Sequence, residues 1–396
     1  MDPSSDPSPT APKLLPRIES VDLLRGVVMI LMALDHTRDF FGFTGISPTD
    51  VVHASAPLFL TRWLTHFCAP TFFLLTGVGA GLSRTSRSPA ALARYLMGRG
   101  ALIIILELTL VRAVGYQFNL DYRVTMLVVL WALGWAMIFL GLIVVLPRPL
   151  IAALGLAIIG GHNLFDSVRS ANPFWVILHG PGFVFQSAEH TVFSSYPLVP
   201  WIGVTAVGYA LAGVYAWPSE RRKRLLLALG VGATLGFVLL RTLNQYGDPG
   251  RWSTQATALK TVLSFLNTSK YPPSLLFLLM TLGPSLLFLR WTDGSTPRPL
   301  RPAIAYGRVP FFYYVGHFAL IHATAVVFCL VRYGSAHWMF ESPTLAQYPF
   351  TPPPEWGYPL PVVYAVWIAV VLAFYPACRW FAEIKARRGH GWLSYL

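Results

Sequence analysis

Apolar residues occur along this chain in long runs, separated by short polar or charged segments. A helix needs about 20 apolar residues to cross a bilayer, and ten runs approach that length. They cover residues 21–42, 58–82, 101–118, 124–146, 150–164, 197–216, 224–243, 272–290, 308–331 and 359–380. The fifth run is short, nearer the length of a re-entrant or buried segment. The pattern predicts an all-α fold, a polytopic integral membrane helix bundle of about 10 transmembrane helices.

Composition supports this class. The chain has 396 residues, of which 55% are hydrophobic and 12% charged, with a mean hydropathy of +0.55. Soluble domains carry about 25% charged residues. Residues 1–16 are rich in Pro and Ser and contain no apolar core, so we predict a disordered cytoplasmic tail and no cleavable signal peptide. The three cysteines lie far apart, without metal or disulfide spacing.

The net charge of +13 could indicate nucleic-acid binding, but in a membrane protein it is more typical of cytoplasmic loops. If each of the ten runs crosses the membrane, 20 of the 30 basic residues lie on the same side of the membrane as the N-terminus. We therefore expect the lipid bilayer, and no nucleic acid, as a partner. The bias predicts an N-in, C-in topology, with the loops at 43–57, 165–196, 244–270 and 332–358 outside.

The first predicted span, residues 17–41 (RIESVDLLRGVVMILMALDHTRDFF), carries unusually many charges. Its ionisable residues besides Arg17 and Glu19 are Asp22, Arg25, Asp35, His36, Arg38 and Asp39. Such groups are costly in a membrane and usually face the bundle interior or a wet cavity. Arg25 and His36 are eleven residues apart, which places them on one helix face about 16 Å apart. This face suits a long ligand with an anionic head and a reactive tail.

Local pairs follow from the same spacing. Asp22 and Arg25 are at i, i+3 and can pair, either as a structural anchor at the helix start or as part of a binding site. His36 has Asp39 at i+3, so we expect this carboxylate to orient the imidazole and leave its other nitrogen as a base. The alternative is a buried structural His–Asp pair. Asp35 points elsewhere on the helix.

Further candidates lie outside this helix. His53 is in the loop that follows it, and His66 comes four residues before Pro70, where we expect a kink. Additional pocket candidates are Glu107, which can pair structurally with Arg112, Lys270 at the mouth of the eighth span, and His317 in the ninth. His317 and His322 are five residues apart, a poor spacing for two ligands on one helix face. We expect no metal site, no phosphate loop and no nucleophile elbow.

The motif Asp22-x-x-Arg25-Gly26, followed by Asp35-His36, resembles the opening helix of the heparan-α-glucosaminide N-acetyltransferase-like family. The Arg-x10-His pattern is also similar to that of the acyltransferase-3 and glucan succinyltransferase families. The first resemblance is strongest over residues 17–82. Later blocks, GHNLFD, YPLVPWIGV, NTSKYPPSLLFLLMTLGP and the terminal CRWFAEIKARR and WLSYL, resemble its uncharacterised bacterial branch.

This resemblance implies a single transmembrane acyltransferase domain at residues 17–396, in the bacterial inner membrane. It implies transfer of an acyl group, commonly from acetyl-CoA, to an amine or hydroxyl of a sugar or glycan. Arg25, with Asp22 and Gly26, would contact the donor phosphates. The family's catalytic histidine lies in the loop after the first helix, where His53 is the nearest counterpart. The base is thus either His36 or His53. Homodimer formation stays open.

Two other classes compete with this interpretation. A transporter or flippase of an envelope intermediate could use the same buried charges as a relay or gate. It would favour broken helices at matching places in two halves, and Pro70 and Pro284 do not form a convincing pair. A membrane scaffold without turnover predicts that the buried charges are dispensable. Within the acyltransferase class, a ping-pong route through an acyl-histidine is the mechanistic alternative.

Overall fold

Residues 18–387 are described by the computed structural model. The predicted tail at residues 1–16 and the terminal WLSYL lie outside them. The described chain forms fourteen α-helices. They are α1 Glu19–Phe41, α2 Ala56–Thr65, α3 Cys68–Ser83, α4 Pro89–Leu106, α5 Val129–Ile143, α6 Arg148–Gly161, α7 Pro173–Leu178, α8 Leu198–Leu211, α9 Ser219–Leu243, α10 Ala258–Leu266, α11 Leu275–Thr292, α12 Ala303–Arg308, α13 Pro310–Tyr333 and α14 Leu360–Arg387. A π-helical segment, Glu107–Tyr116, continues α4.

Seven helices of the described part are long and apolar enough to cross a membrane. They are Ala56–Ser83, Arg148–Phe165, Leu198–Ala216, Ser219–Leu243, Leu275–Thr292, Pro310–Tyr333 and Leu360–Arg387. The mostly helical, multi-pass architecture is therefore confirmed. The weak fifth run is one of the seven, as Arg148–Phe165. The charged α1 and the helix α4 are not among them, and α5 is an apolar helix of only 15 residues.

A small sheet departs from the all-α prediction. It contains β1 Val124–Leu127, β2 Gly182–Gln186 and β3 Thr191–Ser194, in the order β1-β3-β2. β1 is parallel to β3, and β2 is antiparallel to it. The predicted span at 124–146 thus begins too early, because its first residues pair with β3 and α5 starts only at Val129.

Helix α1 contacts α2, α3, α11, α12, α13 and α14. Its approach to α12 is so close that a Cβ at Gly26 would overlap the carbonyl oxygen of Ala303. A Cβ at Gly307 would likewise overlap the carbonyl oxygen of Asp22. The Cβ side of Gly26, which was expected to help contact donor phosphates, is therefore occupied by α12. This glycine is needed where two helix backbones touch.

The second predicted span is interrupted where a kink was expected. Helix α2 ends at Thr65, and α3 starts at Cys68 with Pro70 in its first turn. The proline ring clashes with the carbonyl of the residue four positions earlier, which is His66. His66 lies at this interruption, and it lines the polar space described below.

Candidate active site

An inner cavity of about 280 Å³ lies at the end of the bundle where α1 begins and α14 ends. Its mouth holds four cationic side chains and one carboxylate: Arg25, Arg99, Arg308, Lys385 and Asp22. Met29, one turn after Arg25, lines the same cavity, and so does Tyr314. On the α1 face that was predicted to line a ligand path, Arg25 and Met29 line this cavity.

The predicted pairing of Asp22 with Arg25 is confirmed. Arg25 Nη1 donates to Asp22 Oδ1 at 3.0 Å and to the carbonyl of Gly307, also at 3.0 Å. Arg308 Nε lies 3.8 Å from the other carboxylate oxygen of Asp22. A vestibule of about 590 Å³ adjoins the inner cavity and adds three arginines, Arg87, Arg148 and Arg222. Cations exceed carboxylates in both spaces, as an anionic ligand requires.

The imidazole of His36 is hydrogen-bonded to a second histidine. His36 Nδ1 lies 2.7 Å from His317 Nε2, and His317 Nδ1 lies 2.7 Å from the carbonyl of Tyr313. A carbonyl only accepts, so His317 Nδ1 carries the proton and its Nε2 accepts from His36 Nδ1–H. This tautomer leaves the lone pair of His36 on Nε2, as a general base requires.

His36 lies in the wall between the inner cavity and a second, outer cavity. Its ring stacks on Phe318 with centroids 3.8 Å apart, and it meets Tyr314 edge-on at 6.1 Å. Phe318 lines the outer cavity and Tyr314 the inner one. Tyr116, at the end of the π-helical segment, also lines the outer cavity, and its hydroxyl lies 2.9 Å from that of Tyr314. Side chains that line the two cavities therefore touch each other at Tyr116 and Tyr314.

The outer cavity, of about 950 Å³, has seven aromatic side chains in its lining. They are Phe40, Phe43, Tyr116, Phe318, Tyr348, Tyr358 and Tyr364. Its polar lining includes Arg38, Asp39 and His53. Tyr348 is on the loop 332–358, and burial raises the pKa of its hydroxyl well above the ordinary value. That hydroxyl therefore stays a hydrogen-bond donor at neutral pH.

A protein-family model matches the part of the chain that contains α1 and His53. The model of the family "Heparan-alpha-glucosaminide N-acetyltransferase, catalytic" matches residues 17–238, more than half of the chain. The chain belongs to this family. None of the curated proteins matches it. The match covers α1 and the loop of His53 but ends before α13, so His317 and Tyr314 lie outside the matched segment. The protein is accordingly a membrane N-acetyltransferase by family.

In this N-acetyltransferase, the loop histidine has an orienting carboxylate. His53 Nδ1 donates to Asp50 Oδ2 at 2.7 Å, and Asp50 Oδ1 accepts from the backbone N–H groups of Val52 and His53. These bonds, the one from the His53 side chain above all, hold the pKa of Asp50 below its usual range. His53 itself is largely exposed. Sequence analysis found no partner for His53, although Asp50 is only three residues away.

The roles expected for the two aspartates beside His36 are corrected by their contacts. Asp39 pairs with Arg38 Nη2 at 2.6 Å, and the imidazole of His36 bonds His317 instead. Asp35 forms an ion pair with Arg38 Nη1 at 2.8 Å and accepts a hydrogen bond from Arg62 Nη1 at 2.5 Å. A guanidinium group can contact two carboxylates at once, and that of Arg38 contacts both Asp35 and Asp39. Asp35 and Asp39 therefore position Arg38 and Arg62, rather than His36.

A third space, of about 560 Å³, has a strongly polar lining and shares Arg38 with the outer cavity. Arg62, His66, Asp248 and Lys270 line it. Two pocket candidates from the sequence, His66 and Lys270, are thus brought together here. His66 packs edge-on against Phe277, with ring centroids 5.3 Å apart. The side chains of His66 and Lys270 are both buried, so their polar atoms face this space or the bundle interior.

The remaining candidates have other surroundings. The proposed Glu107–Arg112 ion pair is wrong, because Arg112 donates to the carbonyl of Asn119 and lies over the ring of Tyr122. Glu107 is buried, and its Oε2 has no hydrogen-bond partner within residues 18–387. The two ring nitrogens of His322 lie 3.1 and 2.7 Å from backbone carbonyls. His322 therefore joins backbone segments and is not part of the His36 pair.

Several site residues were not found from the sequence. His317 was a pocket candidate, but nothing linked it to His36, which is 281 positions away. Tyr116 and Tyr314 were hidden among many tyrosines in apolar runs. Arg308 and Lys385 were counted only as cytoplasmic charges. One available signal was the three-residue spacing of Tyr314 and His317, which puts two polar groups on one face of an apolar helix.

Proposed function

We propose that the protein transfers an acetyl or other acyl group from cytoplasmic acyl-CoA to an amine or hydroxyl of an envelope sugar or glycan on the outer side. The observation that carries this proposal is the His36–His317 pair, held in the wall between two cavities at opposite ends of α1. A base in that position can reach a donor on one side and an acceptor on the other. A single wall with a base inside it suits group transfer better than passage of a whole molecule.

We further propose ten spans with both termini in the cytoplasm of a cell whose inner membrane holds the protein. Two features support this topology. The start of α1 and the end of α14 line the same inner cavity, through Asp22 and Lys385. At the opposite end, loops expected outside touch one another: Asn267 donates to the carbonyl of Thr49, and Lys260 donates to that of Val52. A single transmembrane domain from residue 17 onward accommodates both cavities.

The donor would enter from the cytoplasm. Its phosphates suit the cationic mouth formed by Arg25, Arg99, Arg308 and Lys385, because guanidinium groups bind phosphate through paired hydrogen bonds. The nucleotide would occupy the adjoining vestibule, and the acyl-bearing arm would run past Met29 toward Tyr314. Arg25 and His36 are about 16 Å apart along the helix, which leaves room for an extended arm between phosphate and thioester.

The transfer step uses the tautomer described above. Nε2 of His36 takes a proton from the acceptor amine or hydroxyl as its nitrogen or oxygen attacks the thioester carbonyl carbon. The carbon–sulfur bond then breaks, and the proton on Nε2 passes to the leaving thiolate, so His36 ends as it began. His317 acts as a positioning residue that holds His36 Nδ1–H and stabilises the imidazolium. Tyr314 lines the inner cavity, and its hydroxyl, 2.9 Å from that of Tyr116, would donate to the developing oxyanion.

The acceptor would bind in the outer cavity. Aromatic faces such as those of Tyr348, Tyr358 and Tyr364 suit the apolar faces of a sugar ring, and Arg38 and Asp39 offer polar contacts. His53, oriented by Asp50, lies at the rim where an acceptor arrives. We assign it an acceptor-side role, with His36 as the base. The acyl-histidine route stays the alternative mechanism, and nothing in the described residues supports a homodimer.

The test uses the purified full chain in detergent, labelled acetyl-CoA and an amino sugar as acceptor. His36→Ala should lower turnover by about 10²–10⁴-fold, as expected for loss of a positioned base, with CoA affinity retained. His53→Ala should mainly raise the acceptor concentration needed. His190→Ala, an exposed histidine of an outer loop, is the matched control. Wild-type turnover in folded His36→Ala, with His53→Ala inactive, would move the base to His53. Absence of transfer and of acetyl-CoA hydrolysis by the wild type would refute the function.

A further inference from the structure

Three potential metal ligands meet at the outer end of α6, away from both cavities. His162 follows the last residue of α6, Asp166 follows a short 3₁₀ turn, and His179 follows α7. One ligand atom of each side chain lies within 4.8 Å of the other two. The sequence showed His162 and Asp166 four residues apart, but His179 comes thirteen residues later and reaches them only because α7 folds back.

His162 is the most unusual member of this cluster. Its side chain is only 3% exposed. Neither of its ring nitrogens has a hydrogen-bond partner among residues 18–387. Buried polar atoms are almost always paired, and an unpaired one calls for an explanation such as an ion. The imidazole of His162 lies 6.0 Å from that of His179, centroid to centroid. A cation between the two rings would satisfy His162.

The contacts of His179 and Asp166 match those of metal ligands. His179 Nε2 lies 2.8 Å from the carbonyl of His162, so this nitrogen donates and the lone pair is on Nδ1. Asp166 Oδ2 accepts from Asn163 Nδ2 at 2.7 Å, and Asn163 Oδ1 accepts from the backbone N–H of Leu275. Metal-binding imidazoles usually donate their other N–H to a carbonyl, and ligating carboxylates are in turn hydrogen-bonded. Both supporting bonds are present here.

We infer that His162, Asp166 and His179 form a binding site for a divalent transition-metal ion, with Zn²⁺ the best match. Two imidazoles and one carboxylate are typical zinc ligands, and water can take the fourth position. Mg²⁺ and Ca²⁺ prefer oxygen-only surroundings. Ligand atoms of tetrahedral zinc lie about 3.3 Å apart. The three ligand atoms, which lie within 4.8 Å of one another, would therefore move slightly closer together when the ion binds.

The expected role is to stabilise the outer segment, and it does not depend on the transfer chemistry. The three ligands connect the end of α6 with α7, which is followed directly by β2 of the small sheet. Through Asn163, the cluster also contacts the first turn of α11. An ion that binds only the folded arrangement stabilises it by mass action. The ring of Trp175, stacked on His179 at 4.9 Å, shields one side of the site.

The experiment measures zinc content and thermal unfolding of the full chain in detergent, after treatment with a chelator and addition of ZnCl₂ or MgCl₂. The wild type should keep stoichiometric zinc through gel filtration and unfold at a higher temperature with zinc, but not with magnesium. His179→Ala should lose both effects, and His190→Ala should keep both. Asn163→Ala leaves the ligands in place and should weaken zinc binding by about 10–100-fold.

Two results would overturn the inference. One is a wild type that keeps no zinc above background or whose unfolding temperature does not respond to zinc. The other is folded Asn163→Ala and His179→Ala protein that binds zinc as tightly as the wild type. The wild-type measurement by itself decides the question if His179→Ala does not fold.

Discussion

Removing His317 tests how the base is held without removing the base. In His317→Ala, the Nδ1–H of His36 loses the acceptor that now lies 2.7 Å away. His317 is fully buried, so solvent does not readily replace it. Leaving such a donor unpaired costs about 1–3 kcal/mol, and each 1.36 kcal/mol corresponds to a factor of ten in rate. We expect kcat to fall about 5–150-fold, less than the loss from His36→Ala.

The KM for the donor should stay constant, because the cationic mouth of the inner cavity lies about 16 Å from His36 along α1. His317→Gln offers an amide acceptor near the position of Nε2 and should recover much of the lost rate. His322→Ala is the control on the same helix: it loses two backbone contacts and should lower the unfolding temperature, with kcat of the folded protein unchanged. Steady-state kinetics with labelled acetyl-CoA, together with thermal unfolding, measure all three variants.

The reasoning is refuted if folded His317→Ala turns over at the wild-type rate. It is also refuted if His317→Gln is no better than His317→Ala when both fold equally well. In either case the 2.7 Å contact would be a packing contact without a role in positioning the base, and the assignment of His36 would lose its main support.

Arg25→Ala should weaken CoA binding by about 1.5–3 kcal/mol, the cost of losing one charge-assisted contact, and Arg25→Lys should weaken it less. Unchanged affinity of Arg25→Ala in calorimetry would remove this residue from the donor site. Asp50→Asn releases the loop histidine and should raise the KM for the acceptor alone, so a selective rise in the donor KM would contradict the acceptor-side role. Gly307→Ala places a Cβ against a backbone carbonyl and should destabilise the fold by about 1–3 kcal/mol, whereas Gly232→Ala, which meets no atom within 4 Å, should not. A cysteine at Arg221 should react with an impermeant reagent only after the cells are opened; labelling in intact cells would invert the topology.

The prediction of α1 succeeded because helix geometry depends only on local spacing. The face shared by Arg25, Met29 and His36 follows from 100° per residue, and the structure gives this face a cavity and a cavity wall. The Asp22–Arg25 pair is also local, and it is confirmed. Helix α2 ends shortly before Pro70, where the sequence predicted a kink. Spacing predicted which side chains can meet on one helix, but it could not rank a partner on the same helix against one on another.

That limit explains the corrections. Asp39 was the nearest carboxylate to His36 in sequence, yet it pairs with Arg38, and His36 pairs with His317 on α13. Gly26 was assigned to a ligand because α12 could not be placed beside it from the sequence. The metal cluster was missed because its third ligand arrives through the fold of α7.

The sequence by itself determined a multi-pass helical membrane protein of the heparan-α-glucosaminide N-acetyltransferase family, with a charged first helix that presents Arg25 and His36 on one face. Only the tertiary structure decided what that face meets: an inner cavity ringed by cations, a wall of aromatic side chains and a histidine from a helix near the other end of the chain. The physical reason is that periodicity and hydropathy are properties of neighbouring residues. Hydrogen bonds between helices depend instead on how those helices pack, which is settled by contacts throughout the bundle.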